Sequence, residues 1–131
     1  MRRLAFAFCW VIMFVGCAQQ VRDGAADVQV KLEHAPDPPR VGVGKVIVHL
    51  QTADGTPMEK ARVKLEGNMN HAGMKPSFAD AQETAPGRYE ASLDFTMRGD
   101  WFILVEGELP DGRSLRRKID VRGVRDRKSV V

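Results

Sequence analysis

Short segments in which apolar and polar residues alternate, separated by turn-forming residues, limit most strongly how this chain can fold. Successive side chains of a strand point to opposite faces, so a period of two is typical of strands with one buried face. The strand-like segments are residues 27–34, 45–51, 61–67, 87–95, 101–109 and 113–123. Asp-Gly pairs at 54–55 and 111–112 predict tight turns, and no window of twelve residues has helical periodicity. The sequence therefore predicts an all-β fold, a small antiparallel immunoglobulin-like β-sandwich of about seven strands.

The segment from residue 68 to residue 86 lacks a sustained period. It contains Gly73, Pro76 and Pro86, which interrupt regular structure. We expect a long excursion here, with a short strand near residues 75–79.

The first sixteen residues have the organisation of a secretory signal peptide. Arg2 and Arg3 precede a thirteen-residue apolar run that ends at Gly16. As a helix this run would cover about 20 Å, less than the roughly 30 Å hydrocarbon core of a membrane. We therefore predict four segments, namely a signal peptide of lipoprotein type (1–16), a polar tether (17–26), a β-sandwich domain (27–123) and a basic C-terminal tail (124–131).

The stretch "FVGC", which ends at Cys17, resembles the lipobox of bacterial lipoproteins, with Phe14 and Val15 departing from the usual residues. The resemblance implies that Cys17 is lipidated and anchors the chain to a membrane. Ala18 at the next position then implies an outer-membrane lipoprotein of the bacterial cell envelope that faces the periplasm. Ordinary signal cleavage after Ala18 is the alternative.

Cysteine usage and charge exclude several classes of protein. The only two cysteines are Cys9, which lies in the signal peptide, and Cys17, so the mature domain has no disulfide. Without Arg2 and Arg3 the chain has 18 basic and 17 acidic residues, a balance that gives no support to nucleic-acid binding. Its serines and carboxylates lie in no recognisable catalytic context, and we expect a protein that is not an enzyme.

Two methionines and a histidine fall within six positions of the stretch "GNMNHAGMKP". On an extended segment Met69 and His71 project to the same side, and Gly73 lets the chain bring Met74 back toward them. Thioether and imidazole groups suit Cu(I), so these three residues are candidate copper ligands, with Met58 as a candidate fourth. The alternative is that both methionines fill the open end of the core while His71 is solvated.

Two longer stretches carry a family resemblance. "GRYEASLDFTMRGDWFILVEGELPDGRS" and "ADGTPMEKARVKLEGNMNHAGMKP" resemble the YtkA-like (FixH-type) domain family of bacterial envelope proteins, over roughly residues 43–121. The resemblance implies a small β-sandwich. It also implies an association with copper handling or with cytochrome oxidase assembly.

The hallmark residues of that resemblance have a structural interpretation. Phe95 and Met97 are expected to face inward at a strand end, and Gly99 to adopt the positive φ of a tight turn. Trp101 then caps the core, and Tyr89 is a core residue whose hydroxyl reaches the rim.

Two functional hypotheses follow. The first is an exported, lipid-anchored β-sandwich that binds a soft metal ion, Cu(I), for copper handling or tolerance. The second is a metal-free accessory subunit that docks onto an envelope protein partner. In that case the contact surface is formed by the 68–86 segment and by residues 113–128, which contain eight basic and two acidic residues.

Overall fold

The computed structural model describes residues 24–126, and within that range it has seven β-strands and no helix. The strands are β1 (Val28–Ala35), β2 (Gly42–Thr52), β3 (Arg62–Asn68), β4 (Ser77–Ala85), β5 (Arg88–Phe95), β6 (Gly99–Glu108) and β7 (Ser114–Val124). The predicted signal peptide, Cys17 and most of the tether lie outside the described residues, as does the end of the tail. In the part of the chain that is described, no helix is long and apolar enough to cross a membrane.

The strands are hydrogen-bonded in the order β1-β2-β5-β4-β3-β6-β7, and every neighbouring pair is antiparallel. β4 pairs with β3 through residues 77–81 and with β5 through residues 82–85. It therefore passes from one layer, β3-β6-β7, to the other, β1-β2-β5. This arrangement confirms the predicted immunoglobulin-like β-sandwich.

The short strand expected near residues 75–79 is present as the start of β4, but β4 continues to Ala85, so the excursion expected over residues 68–86 is wrong beyond residue 76. The nine residues of β4 alternate between half-buried and exposed only as far as Gln82, and none is fully buried. The inward positions hold the small residues Ala79 and Ala81, while Phe78 points outward with 72% exposure. Because the inward residues are small and an outward residue is a large apolar one, the sequence pattern indicated a strand only weakly. Backbone pairing on both sides, which the sequence does not reveal, determines this strand.

The core lies between the two layers and is filled by the inward residues of β2, β3, β5, β6 and β7. Across the layers, the rings of Phe95 and Trp101 meet edge to face, with centroids 5.3 Å apart and an interplanar angle of 82°. Such a pair contributes about 0.5–1.5 kcal/mol beyond the area that it buries. The end of β5 is thereby fixed against the start of β6.

The two outermost strands, β1 and β7, are joined along the open side of the sandwich. The Arg117 guanidinium donates to the carbonyl oxygens of Ala25 (2.9 Å) and Val28 (3.1 Å). At the other end of β7, the Val41 N–H donates to the Arg125 carbonyl oxygen at 2.8 Å. These contacts nearly close the sheet and protect its edges from pairing with other chains.

Successive loops along the chain lie at alternate ends of the sandwich. We call one end the N-terminal pole, because Gly24 lies there with loops 53–61, 86–87 and 109–113. The other is the methionine pole, formed by loops 36–41, 69–76 and 96–98. Strands of seven to eleven residues, at about 3.3 Å per residue, separate the poles by roughly 25 Å.

Candidate metal site at the methionine pole

The β3–β4 hairpin places the candidate ligands at the methionine pole. Pairing of Gly67 with Ser77 closes the hairpin, so Met69, His71 and Met74 all lie in its loop. The Ser77 hydroxyl also donates to the Asp94 carbonyl oxygen at 2.6 Å, which ties the base of the loop to the end of β5.

The reversal expected at Gly73 is present. Gly73 has a φ of +80°, and the Met74 N–H donates to the His71 carbonyl oxygen at 3.4 Å. A positive φ at the third position of such a turn favours glycine, which has no Cβ to clash with its own backbone. The turn directs the chain back from His71 toward β4, and Met74 lies on the returning limb.

The three candidate ligands differ in burial. Met69 and Met74 are half-buried and pack against the core, whereas His71 is exposed. The ε-methyl group of Met69 lies only 2.8 Å from the position that a Cβ on Gly99 would occupy. Both thioether side chains are therefore held on the inner side of the loop, and the imidazole is on its solvent side.

Met58 does not join this group. Its N–H donates to the Leu50 carbonyl oxygen at 2.9 Å, and its carbonyl oxygen accepts from the Tyr89 hydroxyl at 2.8 Å. Both contacts lie at the N-terminal pole, the whole length of β3 away from Met69. The suggestion of Met58 as a fourth ligand is therefore wrong, because strand β3 separates the two methionines.

The methionine pole offers few donors for hard cations. Loop 69–76 contains no carboxylate, and among residues 24–126 no three His, Cys, Asp or Glu side chains are grouped as metal ligands would be. The nearby carboxylates have partners of their own. Asp100 accepts the Gly123 N–H at 2.9 Å, and Asp126 accepts from the Arg98 guanidinium at 3.1 Å.

Most hallmark residues lie where the sequence placed them. Phe95 and Trp101 are 1% and 2% exposed, and Gly99 has a φ of +124°. The Trp101 indole N–H donates to the Met97 carbonyl oxygen at 2.9 Å, which closes the β5–β6 turn over the end of the core.

Met97, however, does not face inward, and that prediction is wrong. β5 ends at Phe95, and the Met97 side chain is 44% exposed. Period-two alternation applies only while the backbone remains extended, and the chain leaves the strand at Thr96. The turn thus carries the Met97 side chain to the surface of the methionine pole.

Tyr89 fills the core at the opposite pole, as predicted. The side chain is 1% exposed, and its hydroxyl donates to the Met58 carbonyl oxygen and accepts the Ala61 N–H at 3.0 Å. Burial raises the pKa of Tyr89, because the phenolate is poorly solvated there. The tyrosine therefore fastens the β2–β3 loop to β5.

Arg117 is the residue that sequence reasoning missed. The basic run 113–128 was interpreted as a surface, yet Arg117 occupies an inward position of β7, two residues from Leu115 and two from Ile119. A single charged residue in the inward register of a strand was the available signal. The side chain is half-buried, and its guanidinium binds backbone carbonyl oxygens.

Comparison with known protein families agrees with the resemblance found in the sequence. The sequence profile of the YtkA-like family matches residues 22–106. No curated protein has significant sequence similarity to the chain. A structure of murine CRIg aligns with 76% of this chain and 99% of its own, at 15% identity and a TM-score of 0.42, and a likeness at that score adds nothing to the fold described above.

The matched range covers well over half of the chain and includes β1 to β5, the methionine loop and most of β6. The residues that suggested the family from sequence therefore lie mainly within the matched range, and the chain belongs to the YtkA-like family.

Proposed function

We propose that this protein is an exported copper-handling protein that binds Cu(I) at the methionine pole through Met69, His71 and Met74. The observation that carries the proposal is the turn at residues 71–74. It returns Met74 to the core side of the loop that Met69 already occupies, and the His71 imidazole, which lies on the solvent side of the bend, would have to turn inward to join them.

The chemistry of these donors favours a soft ion. Thioether sulfur is neutral and polarisable, and together with imidazole it suits Cu(I) better than hard divalent cations. Calcium and magnesium require several oxygen ligands, which loop 69–76 lacks. With no thiol in the domain, methionine and histidine are the soft donors that remain in an oxidising compartment.

Domains of this family and fold are typically non-catalytic. We propose the same for this chain, whose function then consists of binding and delivering the ion.

The anchoring at Cys17 is part of the proposal, and the topology is consistent with it. The Gly24 N–H donates to the Ser114 carbonyl oxygen at 2.9 Å, so the chain enters the sandwich at the N-terminal pole. Seven residues from Cys17 to Gly24 span at most about 25 Å. A lipid on Cys17 would direct the methionine pole away from the membrane and toward partners in the periplasm. Replacing Cys17 by Ala should abolish labelling of the protein by a tagged fatty acid, and labelling of the variant would contradict the anchor.

The second candidate, a metal-free docking module, is supported by a different observation. Among the described residues, three large apolar side chains are exposed, and all three lie toward the methionine pole. They are Val43 (73%), Phe78 (72%) and Met97 (44%). The basic tail also begins at this pole, which favours an acidic protein partner over lipid for that tail. A photoreactive group at position 78, with one at Thr84 near the other pole as control, tests this function by crosslinking in cells.

A competition titration with Cu(I) tests the copper function directly. Residues 18–131 are suitable, because they include all seven strands and every buried core residue in the part of the chain that the structure describes. We expect one equivalent of Cu(I) to bind to this chain and to be lost in the Met69→Ala/His71→Ala/Met74→Ala variant. Met58→Leu is the matched control, since it removes a thioether from the opposite pole.

Each outcome of the titration is decisive. Loss of binding in the triple variant alone, with Met58→Leu unchanged, would establish the site. Absence of binding in all three proteins would contradict the copper function and leave the docking module as the working hypothesis.

A further inference from the structure

We propose that Met97, on the β5–β6 turn, supplies a third thioether to the same ion, so that two loops rather than one form the site. This inference rests on the proposed function. It replaces Met58 by a residue that the fold brings to the methionine pole.

The two loops are adjacent because β3 and β6 are paired neighbours. Asn68, the last residue of β3, is opposite Phe102, so the chain that leaves β3 passes beside the start of β6. The ε-methyl group of Met69 lies against Gly99, at 2.8 Å from the position of a Cβ there. Met97 precedes Gly99 by two residues, a backbone distance of at most about 7 Å. A long, unbranched methionine side chain can cover that separation.

The backbone of Met97 is held in place while its side chain stays accessible. The Trp101 indole N–H fixes the Met97 carbonyl oxygen at 2.9 Å, and Trp101 itself is buried. The Met97 side chain is 44% exposed. A single exposed apolar residue is ordinary on a protein surface. Met97 differs because its anchored backbone lies beside the loop that carries two half-buried thioethers.

The charged residue next to Met97 is paired with another side chain, so the Met97 thioether is available to bind an ion. The only ionisable side chain directly beside Met97 in sequence is Arg98, whose guanidinium is paired with Asp126 at 3.1 Å. Three thioethers and one imidazole form a neutral donor set, which favours soft monovalent ions over Zn²⁺, for which carboxylate, thiolate or several imidazoles are usual. The addition of Met97 therefore sharpens selectivity as well as affinity.

The test is a titration of residues 18–131, labelled with carbon-13 at the methionine ε-methyl groups, with Ag(I) as a redox-stable soft monovalent probe. This chain contains four methionines, so four methyl signals are expected, and single Met→Leu variants assign them. The signals of Met69, Met74 and Met97 should shift together and saturate at one equivalent, while the signal of Met58 should not move. Met97→Leu, which conserves volume, should weaken Cu(I) binding by about tenfold, equivalent to about 1.4 kcal/mol.

The outcomes separate this inference from the function on which it rests. If Met69 and Met74 shift while Met97 does not, or if Met97→Leu binds as tightly as Met58→Leu, the inference is overturned and the copper function stands. If no methyl signal shifts, both fail.

Discussion

The two poles of the sandwich are stabilised in different ways. At the N-terminal pole, polar side chains fasten the loops, with the Tyr89 hydroxyl bound to Met58 and Ala61 and the Arg113 guanidinium bound to Asp27 and Asp111. Hydrogen bonds from the backbone N–H and then the side chain of Arg113 hold the pKa of Asp111 below its usual range.

At the methionine pole, apolar packing contributes more, beside polar contacts such as that of the Ser77 hydroxyl with the Asp94 carbonyl oxygen. Phe95, Trp101, Met69 and Met74 fill or border the end of the core, and the single indole N–H is satisfied by a carbonyl oxygen.

The difference indicates where a ligand can bind. Polar groups that already have partners at the N-terminal pole would have to lose them in order to bind an ion. Thioether sulfur is a weak hydrogen-bond acceptor, so the methionines at the other pole pack without using their capacity to coordinate. The methionine pole therefore groups several soft donors that have no such polar role, whereas the N-terminal pole has the thioether of Met58 alone.

Truncation of Trp101 should have the largest effect. Trp101→Ala removes the aromatic that closes the core at the methionine pole, and we expect the free energy of unfolding to fall by about 3–5 kcal/mol. Urea unfolding followed by circular dichroism measures the change. Trp101→Phe keeps most of the packing but loses the indole N–H, and it should fall between the wild type and the alanine variant. An alanine variant within 1 kcal/mol of the wild type would show that packing does not support this pole.

Removal of the Tyr89 hydroxyl should have a smaller effect at the N-terminal pole. Tyr89→Phe leaves the Ala61 N–H and the Met58 carbonyl oxygen without their partner, at a cost of about 2 kcal/mol in unfolding free energy. Copper binding should be unchanged, since the change lies at the other pole. Weakened copper binding in this variant would contradict the independence of the poles.

Tyr89 also makes the stability of the folded protein depend on pH, in a direction that its raised pKa determines. The pKa of Tyr89 is raised in the folded protein, so its contribution to stability is fully present below the unfolded value of about 10 and is lost as pH rises through the folded value. Tyr89 is the only tyrosine in the chain, so its phenolate absorbance can be followed directly. The wild type should lose stability above about pH 10 more steeply than Tyr89→Phe, and equal slopes would contradict burial as the cause.

A matched pair of glycine substitutions should have the smallest effect on stability. Gly99→Ala and Gly112→Ala both place a Cβ at a positive φ, +124° and +86°, and each should cost about 1–2 kcal/mol. Only the Cβ at Gly99 meets another group, the Met69 methyl, whereas Gly112 has open space. Copper titration of both variants should show weaker binding for Gly99→Ala alone. Equal affinities would mean that the position of Met69 does not matter for the site.

The sequence predicted the strands because their apolar residues alternate. It predicted the strands around Val63, Leu93 and Ile103 in this way, and it indicated the turn at Gly73. It predicted only the start of β4, because alanines at the inward positions give the alternation little apolar contrast. It was wrong at Met97, where alternation was extended past the end of β5. Period two reports the face of a side chain only where pairing keeps the backbone extended.

The sequence by itself determined that this chain forms a two-layer β-sandwich and that Met69, His71 and Met74 share one loop. Alternation and turn residues act over a few positions, so these properties can be read locally. Only the tertiary structure decided which pole each methionine occupies. That decision separates Met58 from the loop and brings Met97 beside it, and it depends on strand order, because β3 pairs with β6 across a long separation in sequence. It also decided that Arg117 closes the sandwich, since its carbonyl partners lie about ninety residues away.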